Sequence, residues 1–176
     1  PEFRLYELNG TLTGTRPAEG ISYPRPNTAQ VVGDAIYYVA GPGAMVGQVV
    51  RRVTADGILD LEFTRTQEPG LTFAISGDGA HIAWAHTSYA GGPPFSQLWA
   101  AAIDGSGATL VAQTDTQDAI DEFFVLEPVE WLDDGDLVYA WQVTGIGGYI
   151  LFFGWSSLYR YDVDTASTTA MVGVAP

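Results

Sequence analysis

Cysteine is absent from the 176 residues, and so is lysine. Without cysteine the chain has no disulfide and no thiolate metal site. All seven cationic side chains are arginine, set against 21 Asp and Glu, for a formal net charge of −14. Nucleic-acid affinity rests largely on Lys and Arg meeting phosphates, so this balance argues against nucleic acid as a partner. It disfavours an anionic membrane surface for the same reason. Histidine occurs only as His81 and His86. Five positions apart on one strand they point to opposite faces, so they form no joint metal site. Neither a metal nor a cofactor is expected. The longest apolar run, Tyr149–Trp155, is far too short to span a bilayer, so no membrane insertion is expected. No window carries a long helical periodicity with caps. There is no initiator Met; the chain opens Pro1-Glu2-Phe3, which reads as mature, trimmed or a fragment.

What the chain does have is short apolar runs cut by acidic turns. Hydrophobic residues make up 47% and charged ones 16%, the balance of a folded protein rather than a disordered one. The clearest unit runs from Leu71 to Gln113. LTFAIS is followed by Gly77-Asp78-Gly79, then HIAWAHT, then a Gly/Pro-rich loop, then QLWAAAID, then Asp104-Gly105-Ser106-Gly107, then ATLVAQ. Asp-Gly suits a tight hairpin because Gly accepts positive φ and Asp bonds its own backbone. The same punctuation recurs on both sides. Asp34, Asp78 and Asp134 hold equivalent first-turn positions, 44 and 56 residues apart, the excess coming from longer loops. Four strands per period of this length is the pattern of a propeller blade.

ISGDGAHIAW and LWAAAIDGSGATLV resemble the two halves of the PD40, TolB-like (WD40-like) β-propeller repeat. The likeness is strong in this middle unit; elsewhere the spacing is kept better than the letters. Gly77 stands where the repeat has Pro, and Ala80 where it has a basic residue. The resemblance implies an all-β fold of antiparallel four-stranded blades and an extracytoplasmic setting, secreted or periplasmic. It specifies no activity, because this propeller type serves many functions.

About three and a half blades are expected. Residues 1–14 match the outer strands of an interrupted blade: LYELNGT aligns with LYRYDVDT of Leu158–Thr165. Residues 15–27 form a connector. Blades follow at 28–64, 71–113 and 128–174, together one partial propeller domain over 1–176. Between the last two lies TDTQDAIDEFFVLE, where Thr114 and Asp115 are placed to cap a short helical turn. An open blade face leaving ~500 Å² of apolar surface in water forgoes roughly 12 kcal/mol at ~25 cal/mol per Å². Net stabilities are about 5–15 kcal/mol. The remaining blades are therefore expected on another segment of the same gene or on another chain.

No catalytic constellation stands out, and the chain is expected not to be an enzyme. Gly154-Trp155-Ser156-Ser157 resembles the opening of a G-x-S-x-G nucleophile elbow. Leu158 replaces the second Gly, and a strand rather than a helix follows. The acidic turns Asp78, Asp104, Asp133, Asp134, Asp136, Asp162 and Asp164 are too scattered to converge on one calcium ion. Bonding to their own turns explains them better.

In a propeller the loops joining second to third strands share one rim. Here they are Gly41–Gly47, Ser88–Ser96 and Thr144–Ser156. Tyr89, Phe95, Tyr149, Phe152, Phe153 and Trp155 make that rim aromatic, and an aromatic rim suits a protein or peptide partner. Asp115, Asp118, Asp121 and Glu122 border it and suit a cation or basic side chains. The favoured function is a propeller scaffold that binds through this rim. Two alternatives are the gating propeller of a prolyl-oligopeptidase-like peptidase, its catalytic domain lying outside this chain, and a structural subunit of an extracellular assembly.

Overall fold

The computed structural model describes residues 1–21, 29–41, 47–88, 95–114, 122–145 and 155–173. Short β-branched and aromatic runs between acidic turns give strands throughout. The first two, β1 (Glu2–Tyr6) and β2 (Leu12–Pro17), form a two-stranded sheet. Three four-stranded sheets follow. The first holds β3 (Ala29–Val32), β4 (Ala35–Ala40), β5 (Gln48–Val53) and β6 (Ile58–Thr66). The second holds β7 (Thr72–Ile75), β8 (His81–Ser88), β9 (Phe95–Ala102) and β10 (Thr109–Gln113). The third holds β11 (Glu122–Trp131), β12 (Leu137–Gly145), β13 (Trp155–Asp162) and β14 (Ser167–Gly173). Within each sheet every pairing is antiparallel and sequential. The described chain is all-β: three propeller blades and a two-stranded part-blade.

The turns work as their letters imply. Asp78 Oδ1 accepts hydrogen bonds from Ser76 Oγ at 2.6 Å and Ala80 N at 2.9 Å, while Gly79 takes φ +71°. Asp104 accepts from Ser106 N, and Asp162 from Thr165 N, each at 2.9 Å. These bonds, joined at Asp104 by the Ser106 hydroxyl as the largest influence, favour the ionised form and hold the Asp78, Asp104 and Asp162 carboxyls below their ordinary range. Asp134 and Asp136 both pair with Arg160.

One boundary needs correction. The third blade begins at Glu122, not at Pro128. Pro128 sits inside β11 beside a register shift between Pro128 and Glu130, where its missing N–H costs the ladder nothing. Thr114 Oγ1 accepts Ser96 N at 2.7 Å, tying the end of β10 to β9, while the helical turn expected after it lies outside the described residues. The outer strands β2, β6, β10 and β14 all carry a register shift against their neighbour, which blunts an exposed edge.

Strand alternation sends successive side chains to opposite faces, and both faces of the middle blade are covered. Ile82 and Trp84 of β8 join Phe73, Ile75 and Ala101 against Tyr37, Val39, Val50 and Leu61 of the first blade. Ala83 and Ala85 join Leu98 against Leu126, Leu137, Tyr139 and Tyr161 of the third. Phe3 and Leu5 of the part-blade cover Ile36, Tyr38 and Val53 on the far side of the first blade. Polar pins complete the contacts. Gln30 Oε1 accepts Ile75 N at 2.7 Å, and Trp131 Nε1 donates to Ala74 O at 3.1 Å. The inner strand β7 is thus held from both neighbouring blades.

One contact between blades depends on glycine. Gly105 has φ +86°, and a Cβ there would lie 2.6 Å from Phe63 Cδ1 of the first blade. Gly105→Ala is expected to lower stability by about 1–3 kcal/mol through overpacking. Urea denaturation measures it. A smaller loss in a Phe63→Ala background would locate the clash at that ring, and full stability of the single variant would contradict the contact.

Candidate functional site

A four-stranded meander places its second-to-third loop and its link to the next blade at the same end. That end is the rim. Of the aromatic and acidic residues expected there, Tyr89, Tyr149, Phe152, Phe153, Asp115, Asp118 and Asp121 lie outside the described residues. Phe95 opens β9 opposite Ser88 and is half-buried. Trp155 opens β13 opposite Gln142, and Glu122 opens β11 opposite Gly145. All three start a strand at the rim, on the second and third blades.

Beneath the loops, two crevices run between neighbouring blades. In the first, between the first and second blades, the register places Ser88 opposite Phe95 and His86 opposite Gln97. These four share the face that Trp84 and Trp99 present to the first blade. Glu68 reaches them from the link between β6 and β7: Ser88 Oγ and Glu68 Oε1 are 3.1 Å apart. Gln48, at the start of β5, holds the same link. Its Oε1 accepts Gly70 N at 2.8 Å and Leu71 N at 2.9 Å. Burial lowers the His86 pKa, and the Glu68 carboxylate opposes that shift. His86 is therefore mainly neutral at neutral pH.

The second crevice, between the second and third blades, is built on hydroxyls. Ser96 is fully buried. Its Oγ accepts Leu126 N of β11 at 3.1 Å and donates to His86 O at 3.3 Å. Thr87 Oγ1 is 3.3 Å away. Beside this knot stand Phe124 and Trp141, edge to face with centroids 5.6 Å apart, and Tyr159, stacked on Tyr139 at 5.3 Å. These are half-buried aromatics packed beside polar groups already bonded to one another and to backbone, a structural joint between the two blades.

His81 lies on the opposite face of β8 from His86. Its ring is 5.5 Å from that of Trp131 on the third blade, a packing contact at the end away from the rim. No group of three or more metal-binding side chains occurs among the described residues. Glu68, Ser88 and Gln48 were not singled out by the sequence pattern. The available signal was the strand parity of His86, which turns it toward the first blade at the level where the links emerge.

No protein-family model matches the chain. No curated protein matches it either. Among solved structures it is similar to "Oligogalacturonate lyase in complex with manganese", at 11% identity and a TM-score of 0.46. That similarity covers 96% of this chain and 58% of the lyase chain, so this chain spans less than two thirds of that structure. The expectation that the chain is not an enzyme is corrected here: a solved structure to which it is similar is that of an enzyme. The lyase activity and the manganese belong to that protein.

Ser96 gives the most direct test of the second crevice. Ser96→Ala removes the acceptor of the buried Leu126 N–H, and an unsatisfied buried donor costs about 1–3 kcal/mol. Chemical denaturation is expected to show a loss of that size, with Ser96→Thr losing less. An unchanged midpoint for Ser96→Ala would contradict the pin between the blades.

Proposed function

We propose that this chain is a binding domain of the PD40, TolB-like propeller kind, set outside the cytoplasm, that engages a protein or peptide through its rim. The observation that carries the reading is the convergence of Phe95, Ser88, His86 and Glu68 in one crevice between two blades. An aromatic edge beside a carboxylate and a hydroxyl suits a segment with one apolar and one basic side chain. The aromatic residues Tyr89, Tyr149, Phe152, Phe153 and Trp155 extend the apolar part of this surface in the proposal. Asp115, Asp118, Asp121 and Glu122 extend its acidic part. The net charge of −14 draws a cationic partner toward the whole chain.

Selection of a random peptide library on the immobilised full chain tests this. Enriched peptides are expected to pair aromatic or aliphatic residues with Arg or Lys. Their affinity for a Phe95→Ser/Trp155→Ser variant is expected to fall at least about tenfold, the size of one lost 1.4 kcal/mol contact. Circular dichroism of the variant should match the parent. Peptides that bind the folded variant equally well would overturn the reading, as would a library that yields no binder.

A further inference from the structure

The first crevice holds a half-buried titratable group against a short link that has two hydrogen-bonded anchors. His86 is half-buried on the face turned to the first blade. The link opposite it, Gln67–Leu71, is fixed by side chains from both blades. Gln48 of the first blade takes the Gly70 and Leu71 amides, and Ser88 of the second bonds the Glu68 carboxylate. Among the described residues Glu68 is the charged group that acts on His86. Gln97, Ser88 and Trp84 on the sheet of His86, and Gln48 on the first blade, carry no charge.

We propose that His86 is a proton-operated latch between the first and second blades, its protonation opening the crevice that Gln48, Ser88 and Glu68 close. A neutral imidazole packs in the crevice at little cost. An imidazolium there lacks hydration, and one carboxylate already bonded to Ser88 replaces only part of it. Opening hydrates the cation and separates the link from the second blade. The sign follows from the direction of the shift. The folded pKa is lowered, so the stabilisation from neutral His86 is present above the ordinary histidine value near 6.5 and is lost as pH falls through the folded value. Because Phe95 opens β9 opposite Ser88, the latch also controls the rim where β8 and β9 end. It requires no particular ligand and stands apart from the peptide-binding reading.

Nuclear magnetic resonance of the full chain between pH 8 and pH 5 tests the latch. The His86 ring is expected to titrate below 6.5, and the Gly70, Leu71 and Ser88 amides to follow with the same midpoint. Hydrogen-exchange protection of Gly70 and Leu71 is expected to fall by up to about tenfold per pH unit between 6.5 and that midpoint and to level off below it. His86→Gln should remove this dependence. Glu68→Gln should leave it in place and move the ring midpoint lower still, because the carboxylate is what holds it up. Link amides indifferent to pH in the parent chain would overturn the latch. So would the same titration persisting in His86→Gln, or a ring midpoint in Glu68→Gln that stays or rises.

Discussion

The structure depends on one constraint: a sheet must be buried on both faces by its neighbours. A lone four-stranded blade cannot do this, because alternation sends half of its apolar side chains each way. The middle blade divides the task unequally. Toward the first blade it presents bulk, in Phe73, Ile75, Ile82 and Trp84. Toward the third it presents mostly small side chains, Ala83 and Ala85 around Leu98. The third blade fills that shallow face with Leu126, Leu137, Tyr139 and Tyr161. Large groups set into small ones bring the second and third blades close enough for the polar pins of Trp131 and Ser96 to reach. Those pins fix the blades in register, and the register fixes the crevices at the rim.

Much of the fold was legible in the letters. Asp-Gly turns, four strands per unit and the split of HIAWAHT between two faces all follow from local rules, and the structure has them. The start of β11 was not legible. Pro128 reads as a boundary until a register shift makes room for it inside the strand. Thr114 carries a bond that its local pattern did not announce: its hydroxyl accepts Ser96 N across the sheet. Local pattern names the residue able to form a bond, and the fold decides which bond it forms.

The candidate site was legible only as a region. Rim geometry follows from the repeat, but Phe95 and Trp155, expected in the loops, open the strands β9 and β13. Glu68 escaped notice because it lies on a link with no periodicity, and its partner Ser88 is twenty positions further on. His86 was visible but neutral in meaning until its neighbours were known. Its charged neighbour, Glu68, comes from the link that precedes its blade rather than from its own strand. Sites between repeats of a solenoid or propeller are hard to read from sequence for this reason: each repeat supplies half, and the halves carry no common spacing.

If mutual burial of blade faces holds the chain together, no blade is stable alone and the described sheets unfold as one unit. Scanning calorimetry at neutral pH tests this most directly. A single transition is expected, with calorimetric and van't Hoff enthalpies equal and with tryptophan fluorescence, shared between Trp84 and Trp99 of the second blade and Trp131, Trp141 and Trp155 of the third, changing at the same temperature. Two or more separated transitions, with one blade melting while another keeps its structure, would contradict the account.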